Sequence, residues 1–198
     1  MKLTIPMALA AALAASMAWA GAVVPGRTVI ACSQNGVDVF TQERAQVRAS
    51  NILATAGVRL EWRAPRRCPD DAIRISLSEI TPESEQPGAL AYAMPYEGTH
   101  IVVFYGRIQS NCNGDPTLKS IVLAHVLAHE IAHILQAMSR HSESGIMKAH
   151  WDGEDFSRMR FKPLAFTEVD VYLIQRGLDA RSGHEGALMA GISSPAAD

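Results

Sequence analysis

The sequence predicts a single α+β domain in which most strands come early and helices dominate the later part. Three observations point there. Val58–Trp62 and Ile73–Leu77 alternate apolar and polar residues with the period of a strand, whereas Thr41–Ala56 carries apolar residues at helical spacing and Thr117–Met138 is apolar almost all round. These segments do not repeat as strand–helix units; the order is strand, helix, several strands, then helices. The 198-residue chain is 48% hydrophobic and only 19% charged, which suits one filled core without repeats or low-complexity tracts. With 18 Lys and Arg against 20 Asp and Glu, the composition argues against a nucleic-acid binder, because phosphate affinity needs clustered cations.

The first twenty residues stand apart. Lys2 gives a positive start, Leu3 to Ala18 is uncharged and Ala-rich, and Ala18-Trp19-Ala20 supplies small residues where a signal peptidase reads. Residues 1–20 are expected to be a secretory signal peptide cut after Ala20; the alternative is an uncleaved membrane anchor. The domain then spans 21–181 in a periplasmic or secreted protein that has no membrane contact after cleavage. In an oxidising compartment Cys32, Cys68 and Cys112 allow one internal disulfide, with three pairings open.

Val24 to Ala31 reads as an edge strand. The helix over Thr41–Ala56 stops at Gly57, and strands follow at Val58–Trp62 and Ile73–Leu77. After a turn at 81–88, Ala89–Tyr96 and His100–Ile108 give further strand signals, the second being the strongest in the chain. Asp115-Pro116 starts the long helix, with Asp as N-cap and Pro at its first position. Thr167 begins a last helix, with Asp170 three residues on and Gly177 as its stop. The tail 182–198 is Gly-, Ser- and Ala-rich and is expected to be disordered.

The long helix is apolar almost all round, as a buried helix is, yet it contains His125, His129, Glu130 and His133. Unpaired polar groups there would be costly. His129-Glu130-Ile131-Ala132-His133 is an H-E-x-x-H motif, whose histidines lie one turn apart on one face and so can share a metal ion. Zinc takes His nitrogen and keeps an open position for water in catalytic sites. Glu130, beside the first ligand, can reach that water as general base. His125 is about 12 Å from His133 along the helix, too far for the same ion, and reads as packing or support.

A third ligand must come from downstream. The sequence continues to His141, eight residues after His133, and then to Ser144-Gly145-Ile146-Met147. This stretch resembles the metzincin branch of the zincin metallopeptidases. The resemblance implies a zincin-like fold, with a mixed sheet above a buried active-site helix and a smaller, mostly helical C-terminal part. It implies His129, His133 and His141 as ligands of one catalytic zinc, Glu130 as base and Met147 as the Met-turn residue. The implied partner is a peptide or protein substrate. The family pattern has a Gly and a His where this chain has Gln136 and Ser139, so His141 comes two residues late. His100–Tyr105 is expected to be the sheet edge that pairs with extended substrate. Tyr92, Tyr96, Tyr105 and His150 are further residues that a cleft would use, with packing as the alternative for each.

Two rival readings differ in kind. A gluzincin-like peptidase would take its third ligand from Glu168 or Glu154, and a non-catalytic exported zinc-binding protein would keep the fold without turnover.

Overall fold

The computed structural model describes residues 27–34 and 38–192, so the expected signal peptide lies outside the described residues. The chain begins with β1 (Arg27–Ser33), α1 (Val39–Ala54) and β2 (Val58–Arg63). Next come a 3-10 turn at Pro65–Arg67, then β3 (Ile73–Ser78), β4 (Ala91–Ala93) and β5 (His100–Phe104). The remainder is helical: α2 (Tyr105–Asn111), α3 (Pro116–Gln136), α4 (Gly153–Met159) and α5 (Glu168–Ile192).

The five-stranded sheet has the order β2-β1-β3-β5-β4. All neighbours pair in parallel except β4, which runs antiparallel along β5. Val29, Ala31, Val58, Ile73, Ile75, Ile101 and Val103 point into the core, while Thr28, Arg59 and Glu61 are exposed. One dry face explains why these parallel strands keep the alternating pattern of a half-covered sheet. The α+β fold and its mixed sheet are as the sequence predicts.

Several local expectations are corrected. β1 lies between β2 and β3, so it is not an edge. The run from His100 stops being a strand at Phe104, and Tyr105, Ile108 and Cys112 are buried at helical spacing instead. The sheet edges are therefore β2 and β4, and β5 is an inner strand.

Cys32 and Cys68 form the disulfide, with Cα atoms 5.9 Å apart, and Cys112 is buried and free. The bridge ties inner strand β1 to the turn after β2.

α3 fills the centre of the domain. The Asp115 side chain accepts from the N–H groups of Thr117 and Leu118 and so caps its start. Every residue from Ser120 to Gln136 is buried. The helix is long and apolar enough to cross a membrane, but nearly all of it is enclosed by this domain. α5 does not stop at Gly177. A Cβ at that glycine would sit 1.6 Å from Leu135 O, so its role is to let α5 cross the end of α3 at backbone contact. α5 continues to Ile192, past the expected start of the tail at 182, and residues 193–198 lie outside the described residues.

Candidate metal centre

α3 presents His129, Glu130 and His133 within one turn, all nearly inaccessible. The His129 Nδ1–H donates to Ile146 O at 2.8 Å, and the His133 Nδ1–H donates to Met138 O at 3.0 Å. A carbonyl only accepts, so each ring carries its proton on Nδ1 and turns a bare Nε2 inward. Those two nitrogens lie 3.0 Å apart. Burial, then neighbouring imidazoles, push the His129 pKa down to about 3; burial and His141 push His133 to about 4. Two lone pairs facing each other without a proton form a pair that a cation would satisfy.

His141 completes that set. The ligand nitrogens of His129, His133 and His141 all lie within 4.8 Å of one another. Tetrahedral zinc with bonds of about 2.0–2.1 Å needs ligand nitrogens about 3.3 Å apart, close to the 3.0 Å between the two helix histidines. Neutral imidazoles with second nitrogens fixed by carbonyls are also the usual zinc donors. The donor set fits zinc.

The carbonyls that orient the rings come from two turns. α3 ends where Ala137 adopts φ 52° and ψ 36°, a left-handed conformation without glycine, and Met138 follows at once. Ile146 lies in the turn that the resemblance marks. Gly145 there has φ 77°, and a Cβ on it would lie 2.3 Å from Ala165 O. Ile146 N–H donates to that same Ala165 O at 2.9 Å. Met147 is fully buried, and its carbonyl accepts from Ser142 N–H at 2.8 Å.

Glu130 faces the sheet edge. β4 alternates, turning the Tyr92 backbone groups to β5 and those of Ala91 and Ala93 outward. The outward Ala93 N–H lies on the Glu130 side and favours its carboxylate form. Burial nevertheless pushes the Glu130 carboxyl up to about 8. A cleft of about 530 Å³ joins Glu130 and the three histidines to β4, with Leu90, Val126, Trp151 and Phe156 among its apolar walls.

Other candidates separate cleanly. His125 donates from Nδ1 to Ile121 O at 2.8 Å and accepts Leu164 N–H on Nε2 at 3.2 Å, so both ring nitrogens are occupied. It is a buried strut, in line with its reading as packing or support. His150 lines the cleft, as does Tyr92, whose ring packs against Phe104. Tyr105 does not: it is buried in the core. Tyr96 is 85% exposed beyond the end of β4. Glu154 is exposed and paired with Arg158, and Glu168 is exposed at the start of α5, so neither stands with the histidines.

Sequence reasoning missed Trp151, whose Nε1–H also donates to Ile146 O at 3.2 Å and whose ring stands edge-on to His129. It also missed the backbone partners at Ala93, Met138 and Ile146, which no residue type advertises.

Two helix histidines and a glutamate under an antiparallel edge strand, a third histidine from the next loop and a tight turn with a buried Met together define a zincin-like fold of metzincin type. Solved structures bear this out. The chain resembles the archaemetzincin of Methanopyrus kandleri with a TM-score of 0.53 and 14% identity, over 79% of this chain and 97% of that one. The archaemetzincin of Archaeoglobus fulgidus, complexed with malonate, gives a TM-score of 0.52 and 14% identity, over 74% of this chain and 99% of that one. At such identity the likeness is one of fold. No protein-family model and no curated protein matches the sequence.

Proposed function

We propose that the protein is an exported zinc-dependent endopeptidase with Glu130 as its general base. One observation carries this reading: the three-histidine donor set, a buried carboxylate and an open strand edge share one cleft. His129, His133 and His141 would hold the zinc, which when bound would supply a Lewis acid for a carbonyl oxygen and lower the pKa of the attacking water. Glu130 takes that water's proton and passes it to the leaving amine. Its raised proton affinity suits the task, and a nearby divalent cation offsets part of the burial effect by favouring the carboxylate. An extended substrate laid along β4 finds the outward backbone groups of Ala91, which grip main chain and select little by sequence. Export is supported by the signal-like residues 1–20 and by the Cys32–Cys68 disulfide, which an oxidising compartment maintains.

The test is Glu130→Gln, which keeps size but cannot accept the proton. Purified protein should retain about one zinc per chain while hydrolysis of unfolded casein falls by about 10²–10⁴-fold. Undiminished turnover would remove Glu130 as the base. In the wild type, a chelator should abolish hydrolysis and added zinc restore it. Protein recovered from the periplasm or medium should begin at or near Gly21; an intact Met1 in membranes would support an anchor instead.

A further inference from the structure

Asp170 has 0% of its surface exposed, the least of the described carboxylates, and the chemistry above does not use it. Its two oxygens face different ways. Oδ2 accepts from Thr167 N–H at 2.9 Å and from Thr167 Oγ1–H at 2.7 Å, while Asp170 N–H returns to Thr167 Oγ1 at 3.2 Å. That half closes the start of α5 as a capping box does. Oδ1 accepts from Ser142 Oγ–H at 2.6 Å and from the Arg140 guanidinium at 3.0 Å. Arg140 Nη1–H also reaches Ser142 Oγ at 3.1 Å. Arg140 and Ser142 are the residues on either side of His141.

We propose that Asp170 is a positioning residue for the third zinc ligand, its Oδ1 fixing the chain on both sides of His141 while its Oδ2 caps α5. The proposal rests on the zinc-site reading. His129 and His133 are placed by a buried helix, whereas His141 is exposed and lies on the loop beyond α3. That loop needs a fixed reference, and α5 provides one. Gly177 seats α5 on the last turn of α3, and Gln175 Nε2–H bonds Ala56 O at the end of α1. The frame carrying the two helix ligands therefore also carries Asp170. An unlatched loop would spend less time in the binding-competent arrangement, and the apparent metal affinity would fall by that fraction.

The two oxygens can be separated by mutation. Arg140→Gln with Ser142→Ala removes the Oδ1 partners, and Thr167→Val removes the hydroxyl on the Oδ2 side. Zinc affinity is measured by competition with a chromophoric chelator, and thermal unfolding is measured on the metal-free proteins. The Arg140→Gln/Ser142→Ala protein should bind zinc about 10–100-fold more weakly, a larger loss than Thr167→Val shows for a comparable fall in metal-free melting temperature. Thr167→Val should lower the melting temperature while leaving zinc affinity near wild type. Arg140→Gln alone, at a half-exposed side chain, should show a smaller loss in the same direction and serves if the double variant fails to fold. Wild-type affinity in the Oδ1 variants would overturn the latch, as would affinity losses that simply track melting temperature in both sets. A wild-type protein that binds no zinc would bring down the site reading itself, and the latch with it, before any variant is compared.

Discussion

The two halves of the metal centre are built on opposite principles. His129, Glu130 and His133 take their places from one helix, so their spacing follows from 3.6 residues per turn and needs nothing distant. His141 takes its place from a loop whose fixed points lie far along the chain: Ser142 bonds Asp170, and the following turn bonds Ala165. Yet the orientation of the helix histidines also belongs to the loop half, because Met138 O and Ile146 O receive their Nδ1 protons. Ligand position is local in one half and long-range in the other, and ligand orientation is divided as well: the carbonyl that turns His133 lies five residues on, the one that turns His129 seventeen.

The most severe test removes ligands from each half. His129→Ala or His133→Ala should abolish stoichiometric zinc and all hydrolysis. His141→Ala should weaken zinc by more than about a hundredfold, the upper end of what losing an outer partner of a ligand costs. Metal analysis and chelator competition on the three purified variants give the comparison. A His141→Ala protein with wild-type affinity would detach the loop from the centre. His125→Ala should keep its metal, because both of its ring nitrogens are spent on backbone partners.

Next in size is the turn itself. Gly145→Ala forces a side chain into a left-handed residue and against Ala165 O, which should cost about 2–4 kcal/mol from backbone strain and overpacking together. Asp115→Ala, which removes the cap of α3, should cost only about 1 kcal/mol. Urea unfolding of both measures the contrast. Equal losses would mean that the helix half depends on its own ends as much as the loop half depends on its turn.

The same division governs what the sequence disclosed. α3 was legible because Asp115-Pro116, the apolar run and the four-residue histidine spacing are all local signals. His141 and Met147 were legible only through a resemblance, since nothing in a polar loop states which way it turns. The switch at Phe104 from strand to helix was hidden because HIVVF and YGRI share apolar character while their period changes. β1 looked like an edge because partners on both sides come from later in the chain. Gly177 misled for a clearer reason: glycine marks a helix end or a close approach, and only the position of Leu135 decides between them. α4 escaped notice although Asp152 and Asp155 form a capping box at its start. Asp170 was legible as a cap but not as a tie to His141, because Ser142 lies 28 residues away.

A gentler perturbation uses acid. Burial alone would raise the Asp170 carboxyl, but bonds from Ser142, Thr167 and Arg140 outweigh it and hold the pKa below its ordinary value. A depressed carboxylate contributes stability above the unfolded value of about 3.9 and loses it as pH falls through the lower folded value. Wild-type stability should therefore decline below about pH 4. Asp170→Asn should be less stable at neutral pH and show a shallower decline. Identical acid profiles for the two proteins would mean that Asp170 carries no net charge-dependent stability.

The smallest effect concerns the residue where the two halves join. The family pattern has glycine soon after the second histidine; here Gln136 occupies that place, and the left-handed residue is Ala137 one position on. A non-glycine residue in that region costs about 1–2 kcal/mol, and glycine gives back part of the relief through its freer unfolded chain. Ala137 is exposed, so Ala137→Gly removes little packing. The variant should be more stable by about 0.5–1 kcal/mol, read from the urea midpoint. Zinc affinity should not change, because Met138 O stays where the His133 Nδ1–H finds it. A gain in stability with weaker zinc would show that the strained turn helps aim that carbonyl, and the boundary between the halves would then belong to the loop.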